Sequence, residues 1–246
     1  MNSIKKRENS CLAVAAACFT ALVILLSCII AAPAETGREY IAAATDTERM
    51  TVVIDPGHGG EDCGAIGYSG IYEKDLNMQI SVKLGEYLSA AGVGVVFTRT
   101  EDKLLYTEEQ NIKGMRKIYD LRNRTEIANT YGTNALLVSI HMNSFGAREC
   151  SGMQIYHADN DSSRMAADKI RTSVIYSLQP DNRRGLKNGK ELYLLENAEI
   201  PAILIECGFI SNPDECERLA EAEYQKELCF AIMSGILEYE KIKSSS

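Results

Sequence analysis

Apolar segments of two kinds alternate along most of this chain. Three short runs are almost continuously apolar and rich in β-branched residues, which is typical of buried strands in a parallel sheet; they lie at 51–54, 135–140 and 202–205. A further run at 93–98 has the same character. Because helical segments separate these strands, the pattern predicts an α/β fold with a single domain, built on a mostly parallel twisted sheet with helices on both faces.

The longer segments carry apolar residues at helical periodicity, so that one face of each segment is apolar. They predict helices at 73–91, 121–131, 162–178 and 215–241. Gly92 and Gly132 follow the first two as stop signals. Shorter features are expected between the helices: a charged, partly helical insertion at 101–117, an edge strand at 152–156, a basic loop at 181–189 and a short strand at 191–195.

Residues 1–34 have the pattern of an export segment. Basic residues at positions 5–7 precede an uncharged run at 11–32, and the basic end of such a segment stays in the cytoplasm. The run exceeds the about 7–15 residues of a cleaved signal and reaches the about 20 residues needed to span a bilayer. Ala-Pro-Ala at 32–34 nevertheless resembles a cleavage site, so a cleaved signal peptide and a signal anchor both stay open.

This segment sets the expected organisation of the chain. We expect a signal peptide or signal anchor at 1–34, a polar linker at 35–50 and a catalytic domain at 51–242. The domain would then work on the outer face of the cytoplasmic membrane or in the cell envelope. It would stay attached to the membrane if the segment is not cleaved.

Charge and cysteine content narrow the function classes. The net charge of −8 argues against a nucleic-acid partner, which needs a basic surface. Of the eight cysteines, those outside the N-terminal run are widely spaced and form no Cys-x-x-Cys pair. They predict isolated thiols, not a disulfide framework or a structural zinc cluster. Cys63 follows His58 closely enough to be a metal ligand, but a small buried thiol is the commoner role.

Polar residues follow the three continuous apolar runs. His58 lies on the glycine-rich loop after the first run, His141 ends the second and Glu206 follows the third. Glu73 begins the predicted helix after the glycine-rich loop. Because open α/β sheets bind ligands at the carboxyl ends of their strands, these four side chains are expected to converge on one edge of the sheet.

Two imidazoles and one carboxylate, with a fourth position open, are typical of a catalytic zinc site. A second carboxylate that does not bind the metal is what metal-assisted hydrolysis needs for proton transfer. Other roles remain open for two members: His141 as a hydrogen-bonded residue at a strand end, and Glu73 as a favourable charge at a helix N-terminus. Glu206 is harder to explain otherwise, since a carboxylate after four buried apolar residues is costly without a partner. His157 is expected at the surface.

The glycine-rich loop does not match the nucleotide-binding patterns. A dinucleotide fingerprint that starts at Gly57 would need glycine where Asp62 stands, and no Gly-Lys-Ser/Thr ending follows. Glu61 and Asp62 would also repel a phosphate. The loop therefore suits a cation.

Four separate motifs carry a family resemblance: DPGHGG, the Glu-Lys-Asp-Leu at 73–76, SIHMNS and PAILIECGFISN. Over residues 50–240 the chain resembles the zinc-dependent N-acetylmuramoyl-L-alanine amidases of bacterial cell walls, the amidase 3 family, and most of all the sporulation amidases of the CwlD type. The resemblance implies one Zn²⁺ held by His58, Glu73 and His141, with Glu206 as the catalytic carboxylate.

The resemblance further implies an activity and its partners. The substrate would be peptidoglycan, cleaved by zinc-activated water at the amide between the lactyl group of N-acetylmuramic acid and L-alanine of the stem peptide. CwlD-type enzymes act in muramic-lactam formation in the spore cortex, and a protein activator is a possible further partner. Arg184 and Lys187, in the basic loop, are candidates to meet stem-peptide carboxylates, although a solvated loop is the commoner reading.

Two alternatives remain at this stage. A zinc carboxypeptidase acting on peptides would use the same metal ligands, but it needs an arginine for the terminal carboxylate, and the sequence identifies none. A non-catalytic peptidoglycan-binding regulator would be expected to lack a ligand or the base, whereas all four residues are present.

Overall fold

The computed structural model describes residues 49–245, in which one mixed sheet is covered by helices. The strands are β1 (Thr51–Pro56), β2 (Gly94–Phe97), β3 (Ala135–Asn143), β4 (Gln154–His157), β5 (Lys187–Asn188) and β6 (Ala202–Phe209). The helices are α1 (Glu73–Ala90), α2 (Arg116–Asn129), α3 (Asp161–Ser177), α4 (Tyr193–Glu196), α5 (Pro213–Ala220) and α6 (Ala222–Lys243). The expected export segment at 1–34 lies outside the described residues.

The sheet has the strand order β2-β1-β3-β6-β4-β5 and is mostly parallel, as the sequence predicts. β1 pairs in parallel with β2 and β3, and β3 pairs in parallel with β6. β4 runs antiparallel to β6 and parallel to the two-residue β5. The strand expected at the edge, β4, is therefore one position inside it, because β5 forms within the expected loop at 181–189.

Helices cover both faces of the sheet and create two apolar clusters. Alternate residues of β1 point to opposite sides, so Val52 and Ile54 belong to one cluster and Val53 to the other. The larger cluster lies under α1, α3 and α6, and the smaller lies under α2 and α4. This arrangement confirms the predicted two-sided α/β architecture.

The prediction of a short strand at 191–195 is wrong, because this segment contains most of the helical turn α4. Leu194 and Leu195 are both buried in the smaller cluster. Neighbouring residues of a strand point to opposite faces, whereas a helical turn can place both on one side. The long helical pattern at 215–241 is likewise two helices, since the backbone is extended at Glu221 between α5 and α6.

Within residues 49–245, none of the helices combines the length and apolar character that a bilayer crossing requires.

Candidate metal centre

Three of the predicted site residues meet at the carboxyl edge of the sheet. Nε2 of His58 lies 3.2 Å from Oε1 of Glu73, and Nδ1 of His141 lies 2.9 Å from the same oxygen. The two imidazole rings meet edge to face, with 4.9 Å between their centroids. Candidate ligand atoms of the three residues all lie within 4.8 Å of one another. The structure therefore brings together the donor set that the sequence predicts.

Each of these side chains is placed by a different element. His58 follows β1 on the glycine-rich loop, where its φ of 59° puts it in the left-handed region. His141 belongs to β3 itself. Glu73 is the first residue of α1, and its carboxylate accepts hydrogen bonds from the backbone of Ala65 (2.8 Å) and Met142 (3.1 Å). Glu73 is thus buried and tied to two other segments, which a role at the helix N-terminus alone does not explain.

Asp62 orients the imidazole of His58. Its Oδ2 lies 2.9 Å from Nδ1 of His58, which leaves Nε2 of the ring facing Glu73. Burial lowers the pKa of His58, but hydrogen bonds and charge from Asp62 and Glu73 outweigh it and raise the pKa to about 9. A carboxylate behind a histidine ligand fixes the ring and its tautomer in many metal sites. From the sequence, Asp62 is expected only to repel phosphate, although its i, i+4 spacing from His58 is a signal for the contact that the structure shows.

Two glycines of the loop allow the three candidate ligand side chains to approach one another. A Cβ added at Gly57 would overlap the imidazole of His141, and one added at Gly64 would strike Glu73 and His58. Gly64 also has a φ of +66°, which side-chain-bearing residues rarely adopt. The glycine-rich loop is therefore required by the side chains packed against it.

Glu206 lies beside this cluster without joining it. In the sheet it is the register partner of His141 on β3 and of Gln154 on β4. The residue is partly exposed, yet its Oε2 is buried and has no hydrogen-bond partner among the described residues. Burial raises the pKa of Glu206 to about 7, with the charges of His141 and Glu73 acting in opposite directions. A carboxylate in this state can accept and return a proton near neutral pH.

Two further residues singled out in the sequence lie outside the cluster. Cys63 is half-buried and its thiol donates to the carbonyl of Gly64 at 3.2 Å, so it is not grouped with the three candidate ligands. His157 is the register partner of Ile203 near the start of β6, whereas Glu206 lies further along β6 and pairs with Gln154. The cysteines at 63, 150, 207, 216 and 229 are all free, as their spacing predicts.

The two basic candidates of the 181–189 loop differ in how they are held. Arg184 packs 4.4 Å from the ring centroid of Phe209, and its Nε donates to the carbonyl of Ser151 at 2.8 Å. Lys187 is exposed, with its ammonium 5.3 Å from the ring centroid of Tyr156. Arg184 therefore has a packing role, whereas Lys187 keeps an accessible charge.

A buried ionic network that the sequence did not reveal lies behind the His58 loop. Arg124 of α2 pairs with Asp55 and Asp120, each at 2.8 Å. Thr98 and Ser139 donate to the two oxygens of Asp55 at 2.6 and 2.7 Å. Asp55 and Arg124 are both almost fully buried, so loss of Arg124 would leave the carboxylate of Asp55 buried without an ionic partner.

The Asp55 network predicts an acid-sensitive contribution to stability. Burial raises the pKa of Asp55, but the Arg124 charge and the hydrogen bonds from Thr98 and Ser139 outweigh it and lower the pKa to about 2, from 3.8. Because the folded state binds this proton less tightly, the contribution is complete above about pH 4 and is lost as the pH falls through about 2. When the pH falls from 5 to 2, we expect the free energy of unfolding to drop by on the order of 2 kcal/mol more in the wild-type protein than in Asp55→Asn.

Urea unfolding at a series of pH values measures this difference. Asp181→Asn, at a fully exposed aspartate, is the matched control and should follow the wild-type pH dependence. Equal pH dependence for Asp55→Asn and Asp181→Asn would contradict the assignment.

Comparison with known proteins decides the family. Residues 52–238 match the model of a family described as N-acetylmuramoyl-L-alanine amidase. The chain belongs to this amidase family. The match confirms the resemblance carried by the four sequence motifs, and it makes the chain a relative of enzymes that hydrolyse amides of peptidoglycan.

Individual relatives narrow the type of amidase. The germination-specific N-acetylmuramoyl-L-alanine amidase of Bacillus subtilis (strain 168) is 34% identical over 189 residues, which cover 76% of this chain and 78% of that protein. The uncharacterized protein YqiI of the same organism is 35% identical over 200 residues, covering 80% and 88%. A solved structure of the CwlD amidase from Clostridioides difficile, in complex with the GerS lipoprotein, matches with a TM-score of 0.75 and 35% identity, covering 79% of this chain and all of that one. The chain is thus an amidase of the CwlD type.

Proposed function

We propose that His58, Glu73 and His141 hold one zinc ion and that Glu206 is the catalytic carboxylate. Two imidazole nitrogens and one carboxylate oxygen, close enough to share an ion, form a donor set that zinc prefers. Asp62, on the second nitrogen of His58, supports the set in the manner common to zinc ligands. The observation that carries the proposal is the buried, unpartnered oxygen of Glu206 beside these ligands.

The reaction is hydrolysis of the amide between the lactyl group of N-acetylmuramic acid and L-alanine of the stem peptide. Zinc, when bound, supplies Lewis-acid chemistry that polarises a carbonyl oxygen and makes water more acidic. Glu206 accepts a proton from the attacking water and returns it to the alanine nitrogen as the C–N bond breaks. Its raised pKa suits both transfers, because a carboxylate that titrates near neutral pH can act first as base and then as acid.

The likeness to a germination-specific amidase and to CwlD supports a role in the spore cortex. We propose that the chain acts on cortex peptidoglycan, in the formation of muramic lactam. Because CwlD was solved with a lipoprotein, a protein partner of that kind is proposed for this chain as well. Such a role requires an extracytoplasmic location, which the segment at 1–34 would provide as signal or anchor for the domain at 51–242.

Zinc dependence is tested on the purified full-length chain. We expect elemental analysis to find about one zinc per chain, and we expect a strong chelator to abolish muropeptide hydrolysis until zinc is restored. Mass spectrometry of the products should show free peptides that begin with L-alanine, together with the intact saccharide part of the muropeptide. Release of single amino acids from the peptide terminus would indicate a carboxypeptidase instead. A chain without zinc above background, or one that is fully active in chelator, would contradict the proposal.

A further inference from the structure

Three consecutive backbone carbonyls at the end of β1 are held by side chains from other parts of the fold. These carbonyls belong to Pro56, Gly57 and His58, and the last of these residues is itself a candidate zinc ligand. The side chains that hold them are all buried. They form the carbonyl clamp, which consists of Asn77 on α1, Arg99 after β2 and Arg124 on α2.

Arg124 holds the outer two carbonyls. Its Nη1 donates to the oxygen of Pro56 at 2.8 Å and its Nη2 to the oxygen of His58 at 2.7 Å. The same guanidinium pairs with Asp55 and Asp120, which fix its plane. The planar guanidinium of Arg124 therefore joins the glycine-rich loop to β1 and α2 at the same time.

Arg99 and Asn77 hold the middle of the loop. Arg99 donates from Nε to Pro56 at 2.8 Å and from Nη2 to Gly57 at 3.0 Å. Nδ2 of Asn77 donates to the same Gly57 oxygen at 3.2 Å. Among the described ion pairs, none joins Arg99 to a carboxylate, so its buried charge is directed at backbone oxygens. Burial and the neighbouring Arg124 accordingly lower the pKa of Arg99 to about 10.

The backbone that the clamp holds is strained. His58 is the only residue other than glycine with a positive φ in the described part of the chain. Such a conformation costs free energy in a side-chain-bearing residue, and it persists where surrounding contacts over-determine it. Burying two guanidinium groups is also costly, and apolar residues could fill the same volume at less expense. The cost of burying these groups points to a role for the clamp in addition to stability.

We propose that the carbonyl clamp positions His58 for metal binding. By fixing the carbonyls at 56–58, it holds the backbone of His58 in the one conformation that directs Nε2 toward Glu73 and His141. The inference rests on the proposed function, since it concerns a zinc ligand. Arg99 and Arg124 are positioning residues, because they touch the loop and not the ion or the substrate.

The test replaces each arginine by lysine in the full-length chain. Lysine keeps the positive charge but cannot bridge two carbonyls with a planar fork. We expect zinc affinity, measured by competition with a chelator, to fall by about 10–100-fold in Arg124→Lys and in Arg99→Lys, as is typical when a group that orients a ligand is lost. The visible absorption of the cobalt-substituted protein should change as well, because it reports the arrangement of the ligands.

Two controls separate positioning from a general loss of stability. Arg122→Lys lies on the same helix, at an exposed residue paired with Glu126, and should leave both metal readouts unchanged. Ile232→Val, at a buried residue of α6 in the larger apolar cluster, should lower stability to urea without changing zinc affinity. Circular dichroism shows whether each variant folds. If Arg124→Lys does not fold, the zinc affinity of Arg99→Lys decides between positioning and stability.

The outcomes distinguish the clamp from the proposed function. Clamp variants that lose stability but keep wild-type zinc affinity and cobalt spectra would overturn the clamp inference, while leaving the hydrolase proposal intact. A wild-type chain that binds no zinc would overturn both.

Discussion

Replacing Glu206 by glutamine is expected to slow muropeptide hydrolysis by about 10²–10⁴-fold and to leave zinc content unchanged. Glutamine keeps the size of the side chain but cannot accept the proton from water or return it to the leaving nitrogen. Zinc should be retained because Glu206 lies outside the group of ligand atoms. Initial rates on defined muropeptides, with elemental analysis of the same samples, measure both quantities.

Glu73→Gln is the contrasting variant. The carboxylate of Glu73 contacts both histidines and two backbone amides, so its loss removes a charged candidate ligand and disturbs the loop. We expect Glu73→Gln to lose zinc in a mild chelator under conditions where Glu206→Gln retains it. If Glu206→Gln were as active as wild type, or lost zinc as readily as Glu73→Gln, the roles of base and ligand would have to be reassigned.

Gly57→Ala is expected to have the second large effect. Its new methyl group would occupy the space of the His141 imidazole, so the ring must move away from its position beside Glu73. Because a proposed ligand is itself displaced, zinc affinity should fall at least as far as it does on loss of a supporting group, which is about 10–100-fold. Hydrolysis should fall as well. Calorimetry in which zinc is titrated into protein stripped of metal and chelator gives the affinity directly.

Gly146→Ala is the matched control for this substitution. A Cβ at Gly146 would meet no atom within 4 Å, and the backbone there has no positive φ. The control should therefore bind zinc and hydrolyse substrate like wild type. Normal zinc affinity in Gly57→Ala would show that His141 does not need its present position, and that the ligand assignment is wrong.

The predicted fold and cluster follow from patterns that are local in the sequence. A continuous apolar run can be recognised without knowing its neighbours, so β1, β3 and β6 were found. Their carboxyl ends must then meet, which places His58, His141 and Glu206 on one edge. The strand β5 was missed because two residues carry no periodicity, and its pairing with β4 depends on a distant segment.

The supporting groups could not be predicted for a different reason. Arg99 and Arg124 are of a residue type that is seldom fully buried, and each donates to the carbonyl of Pro56, more than 40 positions away. Burial of a guanidinium is decided by the partners that surround it, and no periodic signal encodes those partners. The helix α4 could not be predicted for a similar reason. Its helical turn places Leu194 and Leu195 on the same side, against the sheet, and the sequence of the segment does not show this packing.

The hydrogen bonds that hold the His58 loop and Glu73 come from the protein itself. The donors include backbone amides, Asn77 and two arginines, and the acceptors include backbone carbonyls, Glu73 and Asp62, all supplied when the sheet and helices assemble. In a small zinc finger, by contrast, the ion supplies the free energy of folding. We therefore expect the domain to stay folded without the proposed zinc ion and to bind it again when zinc is restored. On the proposed function, zinc supply alone would then switch hydrolysis on and off, without any cycle of unfolding or degradation.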